Sequence, residues 1–441
     1  MISVLRNIGN IWKITDLRNK ILFVLAMIVV YRLGTFIPAP GINYAALRPL
    51  QDQAEEGGVL AFLRLFSGGA LTQFAIFALG VIPYITASII MQVLAVVVPR
   101  IEQWQQQGAV GQRKINQWTR YITIGIAIVQ STSLAFLFNN GGGGLTSTGI
   151  PDLLPTFTVG RVAIVVLTLT AGTAVLMWMG ELITQKGIGN GISLLIFAAV
   201  VSGLPAQLSS VRTQSGWGAL TGVAGMYLLL LVAIVFVEQG QRRIPVQFAK
   251  RVVGRRMTSG GSTYIPLKVN QSGVIPIIFA SSVLYLPQLV VVAFPSSGWG
   301  ASMQRWVNDN LLSPRDPVYL IVFGLLIIGF AYFYTAITFD PVKQADTLRK
   351  QGGFIPGIRP GPQTERYLAR ILSRITLPGA LFLAIVALIP AVVLAQFLPD
   401  ETLGIFGFTG ISILIAVGVS LETMKQIDSQ LMMRNYEGFL K

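Results

Sequence analysis

The side chains in this 441-residue chain best placed for chemistry are cations, 33 Lys and Arg against 18 Asp and Glu. Histidine and cysteine are absent altogether, so thiol nucleophiles, disulfides, Cys/His metal sites and imidazole proton relays are excluded. No GxxxxGK[ST] loop is present to cradle nucleotide phosphates, and neither GxSxG nor HExxH occurs. The nearest glycine cluster, Gly187-Ile188-Gly189-Asn190-Gly191, opens an apolar run instead of following a strand and reads as a tight turn between closely packed helices. The chain is therefore read as a non-enzyme without metal or cofactor. Its cations gather in two loops. Gln239–Val269 holds Arg242, Arg243, Lys250, Arg251, Arg255, Arg256 and Lys268, and Asp340–Ile375 holds Arg359 between Pro and Gly in GIRPG. Basic residues at projecting tips suit phosphates of a structured RNA or an acidic protein surface.

What must position these loops is hydrocarbon. The chain is 53% hydrophobic and 12% charged, where soluble proteins carry roughly 25% charged residues. Phe74–Val98, Val162–Gly180, Val318–Phe339 and Ile375–Pro399 are free of charge and long enough to cross a bilayer, which takes roughly 20 residues. Apolar runs against breakers predict an all-α membrane protein with ten spans: 21–37, 74–98, 119–138, 162–183, 192–211, 219–237, 273–293, 318–338, 376–398 and 404–422. With the N-terminus cytoplasmic, 26 Lys and Arg fall on the cytoplasmic side and six outside, so both termini are expected in the cytoplasm. No small-residue cleavage site follows the first run, so a removed signal is not expected. Strands are predicted around RRIPVQF and STYIPLKV with Gly254-Arg255-Arg256 near the tip, and helices over Val342–Gln351 and Gln363–Ser373.

One apolar segment, Val59–Leu71 (VLAFLRLFSGGAL), is too short to cross, carries Arg64 and is broken by Ser67-Gly68-Gly69. It is read as a short helix folded back into a cavity, with an amphipathic helix on the outer surface as the alternative. There is also an internal repeat. Gly80–Ile90 reads GVIPYITASII and Gly273–Val283 reads GVIPIIFASSV, identical at seven of eleven positions. Five spans separate the copies, so they enter the bilayer from opposite faces. That predicts two inverted five-span halves, 1–211 and 212–441, with a pathway at their seam. Charged residues in or near spans are few, Arg32, Glu181 and Glu238 among them. A secondary transporter for small solutes, which also uses inverted repeats, would need ionisable groups along its path; a scaffold or insertase would leave the folded-back segment unexplained.

Phe66–Gln92, Met179–Ser193, Gln241–Arg251, Pro266–Ser282 and Phe354–Leu368 together resemble the bacterial SecY family, in order and across nearly the whole chain. The resemblance implies a two-leaved channel for unfolded secretory polypeptides, opening sideways to lipid. Carried over by position, it implies a pore ring of Val81, Ile85, Ile192, Ile196, Ile278 and Ile415, with Val81 where isoleucine is expected. It implies a plug over about 60–72, including Leu60, Leu63, Arg64, Phe66, Ser67, Gly68 and Gly69. Thr86, Gln92, Asn270 and Ser282 would line a lateral gate between spans two and seven, where signal sequences bind. Arg255, Arg256 and Arg359 would dock the ATPase SecA or the ribosome, with contact to ribosomal RNA through the basic loops. SecE would clamp the halves and SecG bind peripherally, in the bacterial plasma membrane or a thylakoid membrane. Five residues follow Tyr436, so the docking contribution of a longer tail is not expected.

Overall fold

The computed structural model describes residues 14–43, 64, 66–139, 158–248, 251–253, 256–258, 262–292, 299–311, 316–397 and 409–437. The first half comprises α1 (Thr15–Gly34), α2 (Ile82–Val97), α3 (Pro99–Gln106), α4 (Ala109–Asn139) and α5 (Val159–Lys186). α6 (Gly191–Gln239) is broken at Gly216, whose φ of 79° and ψ of −175° are not helical. Val211 and Leu208 pack with Val223, Met226 and Tyr227. In a straight helix Leu208 and Tyr227 would stand about 28 Å apart, so the chain folds back on itself at Gly216. The expected spans five and six are the two arms, Gly191–Thr213 and Ser215–Gln239.

A strand module follows: β1 (Gln241–Phe248), β2 (Arg251–Val253), β3 (Arg256–Thr258) and β4 (Ser262–Lys268). Then come α7 (Ile275–Val292), α8 (Trp299–Leu311), α9 (Pro317–Thr338), α10 (Pro341–Lys350), β5 (Gly353–Phe354), α11 (Pro362–Phe397) and α12 (Thr409–Glu437). Among the described residues, six helices are long and apolar enough to cross a membrane, or seven if α2 and α3, which meet at 101°, form one bent span. α1, α4 and α7 stand where the other three expected spans fall; α1 carries Arg18, Lys20 and Arg32. The protein is a mostly helical, multi-pass membrane protein.

Several expected boundaries are corrected. Residues 74–81 form turns and do not begin the second span, because Phe74 (φ 46°) and Gly80 (φ 57°) take left-handed conformations that interrupt a helix. The helix expected over 363–373 is not separate from the ninth span. α11 runs unbroken through Pro378 and Pro390, since neighbouring helices can re-satisfy the carbonyls that proline frees. α4 begins at Ala109, ten residues before its expected start at 119, because Gln and Arg on a helix surface need no apolar cover.

The repeat is structural as well as sequential. α2 and α7 begin at equivalent residues, Ile82 and Ile275, each with proline at the second helical position. There the missing N–H belongs to a group that lacks an intrahelical partner anyway. Two residues earlier, Gly80 (φ 57°) and Gly273 (φ 62°) take the same left-handed conformation. α2 packs chiefly on α3, α4 and α5, and α7 on α8 and α9. The two copies thus pack chiefly against different helices.

Candidate functional site

Four helices carry the six apolar residues expected to line a constriction. Val81 caps α2 and Ile85 follows one turn later. Ile192 and Ile196 lie in the first turns of α6, whose start is set by Asn190: its Oδ1 accepts hydrogen bonds from the amides of Ile192 (3.1 Å) and Ser193 (3.5 Å), a side-chain N-cap. The glycine cluster makes the tight turn expected of it. A Cβ on Gly191 would lie 1.9 Å from the carbonyl oxygen of Gly180, and one on Gly180 would lie 2.6 Å from Ile192 Cγ1. Ile278 and Ile415 come from α7 and α12. All six belong to one hydrophobic cluster, with Val81, Ile196, Ile278 and Ile415 buried and Ile85 and Ile192 half-buried against it. None faces outward. Ile85 and Ile278 occupy the same position in the repeat.

Beside this cluster lies the end of the short apolar segment. Leu60 and Leu63 fall outside the described residues. Arg64, Phe66 and Ser67 are helical, and the turn closes with Gly68 (φ 62°) and Gly69 (φ 88°). The amide of Gly69 donates to the Arg64 carbonyl at 3.0 Å, the six-to-one bond of a Schellman cap with glycine at the left-handed position. Phe66 and Ser67 are buried. Onward to Gly80 the chain is wedged between helices: Ala75 bridges Pro38, Gly34 of α1 lies against the Phe77 ring, and Gly172 of α5 against the carbonyl of Ile76. From α1, Tyr31 Oη donates to the Ser67 carbonyl (3.1 Å) and Arg32 Nη1 to the Gly68 carbonyl (2.9 Å) and to Ser202 Oγ on α6 (2.9 Å). Sequence reading noted Arg32 only as a charge inside a span. Its partners are remote in the chain, and no local pattern announces them.

The expected gate residues do not form one network. Thr86 Oγ1 donates to the Ile82 carbonyl (3.0 Å), Ser282 Oγ to that of Ile278 (2.8 Å), and Gln92 Nε2 to Ser88 Oγ (3.4 Å), each one turn back on its own helix. Such bonds keep polar groups satisfied on an otherwise apolar helix face. Asn270 is buried and bound elsewhere. Its Nδ2 donates to Glu238 Oε1 (2.5 Å) and the Gly273 carbonyl (3.0 Å), and its Oδ1 accepts from Ser272 Oγ (3.1 Å). Asn270 therefore ties the end of α6 to the entry of α7. Sequence reading missed a further cross-helix link. Arg120 of α4 donates through Nε and Nη2 to both carboxylate oxygens of Glu181 on α5, at 2.6 and 2.5 Å.

The two basic loops are one unit. β1 pairs antiparallel with β4, Gln241 opposite Lys268 through Gln247 opposite Ser262, and on its other edge with β5, Gln247 opposite Phe354 and Phe248 opposite Gly353. Ile244, Val246 and Leu267 from the first loop are buried with Leu348, Ile355, Leu368 and Ile371 from the second. β2 and β3 form a second hairpin, with Val253 opposite Arg256, so the first loop holds four strands instead of two. Arg255 falls outside the described residues. Arg359 is exposed, flanked by Gly357 (φ 81°) and Gly361 (φ 108°), and its carbonyl accepts from Thr364 Oγ1 at 3.0 Å. The guanidinium of Arg243 lies over the Tyr264 ring, 4.9 Å from its centre.

These features define a class: a polytopic membrane protein whose repeat-related helices contribute to one apolar core, with a small basic strand module built from two loops. Comparison with known proteins gives the family. The SecY family model matches residues 75–424. A protein translocase subunit SecY from Streptomyces scabiei is 49% identical over 436 residues, covering 98% of each chain. Among solved structures, one described as the structure of a protein conducting channel superposes with a TM-score of 0.61 at 18% identity, over 92% of this chain and 91% of that one. Sec61 in the canine ribosome-channel complex gives 0.59 at 19%, with the same coverage; at such identities the likeness is one of fold. The chain belongs to the SecY family.

Proposed function

We propose that this protein is the pore-forming subunit of the general protein-translocation channel, passing unfolded secretory polypeptides across the membrane and releasing apolar segments sideways into lipid. The observation that carries this reading is the convergence of Val81, Ile85, Ile192, Ile196, Ile278 and Ile415, from four helices, on one apolar cluster. An aliphatic ring excludes ions by dewetting yet parts around an extended chain of any sequence. Ten spans in two inverted halves, both termini cytoplasmic, are inferred from the repeat and the distribution of cations. The segment over about 60–72 is the plug, and α2 and α7 are the gate, with Thr86, Gln92, Asn270 and Ser282 near its seam.

Arg255, Arg256 and Arg359 dock SecA or the ribosome, which supply the energy, and SecE and SecG complete the complex in the plasma membrane or a thylakoid membrane. Reconstitution with SecE and SecA tests the whole reading: ATP should drive a signal-bearing precursor into vesicles. Arg359→Glu should leave the complex assembled and stop that import. Cysteines at Thr86 and Ser282, in a chain with no others, should block import once oxidised and release it on reduction. Import that continues through the disulfide-linked protein would refute the gate.

A further inference from the structure

A charge inside an apolar span is expensive unless it is paired or serves the pathway. Arg32 has such a use here. Its guanidinium reaches the carbonyl of Gly68 and the hydroxyl of Ser202, while the adjacent Tyr31 hydroxyl reaches the carbonyl of Ser67. Those two carbonyls lie at the end of a helical turn, where backbone oxygens carry partial negative charge; that of Ser67 also accepts from the amide of Ala70 at 3.2 Å. A cation placed there is favoured electrostatically as well as by hydrogen bonding. Ser202 is itself oriented, since its Oγ donates to the Ala199 carbonyl at 2.7 Å and so turns its lone pairs to Arg32.

Sterics restrict the same point. A Cβ on Gly68 would lie 2.8 Å from Tyr31 Oη and 3.1 Å from Ala199 Cα, and one on Gly80 would lie 2.7 Å from the Phe66 carbonyl oxygen. Helices α1 and α6 thus hold residues 66–68 from two sides. Beyond them, the Gly68–Gly69 pair has the left-handed conformations at which a backbone can turn without side-chain strain.

We infer that Tyr31, Arg32 and Ser202 form a clamp that fixes the Ser67–Gly68 joint and thereby holds the resting channel shut. This rests on reading the apolar segment as a plug. The clamp grips backbone, so it does not depend on side chains in the plug itself, and its three side chains come from α1 and α6, not from the proposed gate helices α2 and α7.

The test is resting ion conductance of the reconstituted complex in planar bilayers, without precursor. Tyr31→Phe, which keeps the ring, should raise leakage several-fold. Arg32→Leu should raise it about tenfold or more, the factor corresponding to about 1.4 kcal/mol, and Arg32→Lys should restore part of the seal. Precursor import should persist in each variant, which separates loss of the clamp from misfolding. Deleting Leu63–Gly69 serves as reference. If the deletion leaks while Tyr31→Phe and Arg32→Leu stay as tight as the parent, the clamp is wrong and the plug stands. If the deletion does not leak either, the plug reading fails and takes the clamp with it.

Discussion

Leu267 is fully buried in β4, packed with Ile244 and Val246 of β1, Leu348 of α10, Ile355 just after β5, and Leu368 and Ile371 in the first turns of α11. Replacing it with alanine removes apolar contact and leaves a cavity, at a cost of about 3 kcal/mol for a site that collapses partly. The module has few buried residues to share that loss, so its open population should rise about 100-fold. Because β1 is hydrogen-bonded to β5 as well as to β4, the loosening should cross between the loops. Hydrogen exchange on the Leu267→Ala protein should therefore accelerate by about two orders of magnitude at β5 and α10 as much as at β1 and β4. Amides of α5 and α9 should keep their parental rates. Acceleration confined to residues 241–268 would show that the loops are independent and that their joint core contributes little.

Three further outcomes are expected. Arg120 and Glu181, with side chains 44% and 23% exposed, should couple by about 1 kcal/mol in a double-mutant cycle read by thermal unfolding, and exchanging the two residues should recover most of that coupling. Gly379→Ala, whose Cβ would lie 2.3 Å from the carbonyl oxygen of Val269, should destabilise by about 1–3 kcal/mol; Gly222→Ala, with open space around it, should raise the unfolding midpoint slightly. In α8, Trp299, Met303 and Trp306 are exposed along one stripe while Val307 packs inward. A nitroxide at Met303→Cys should collide with oxygen more than with a water-soluble nickel chelate, as for a helix lying in the membrane interface.

The spans were legible because hydrocarbon imposes a length and a composition that few other environments demand. The repeat was legible because its glycine and proline mark a specific backbone geometry, which recurs at Gly80 and Gly273. Residues 74–81 were not, since left-handed Phe74 sits in an apolar run that reads as helix, and its conformation comes from packing against α1 and α5. The union of the loops was equally hidden. β5 is two residues long, and no periodicity can identify so short a strand; its partner lies more than a hundred residues earlier. The six apolar residues could be singled out only through family resemblance, because an isoleucine facing a seam looks like one packed anywhere else in a helix bundle; the structure places all six in one core cluster. The clamp on Gly68 depends on Tyr31, Arg32 and Ser202 meeting across the chain, which spacing does not encode.

The matched entries of α2 and α7 also bear on how the proposed gate would open. Each helix is mounted on the same kind of pivot, a left-handed glycine two residues before a proline-bearing first turn, and the two mounts would sit on opposite faces of the bilayer. Parting the helices would then not require one rigid and one yielding side: both can tilt about like bearings, in opposite senses. Stiffening one bearing alone would leave a door that swings from a single jamb.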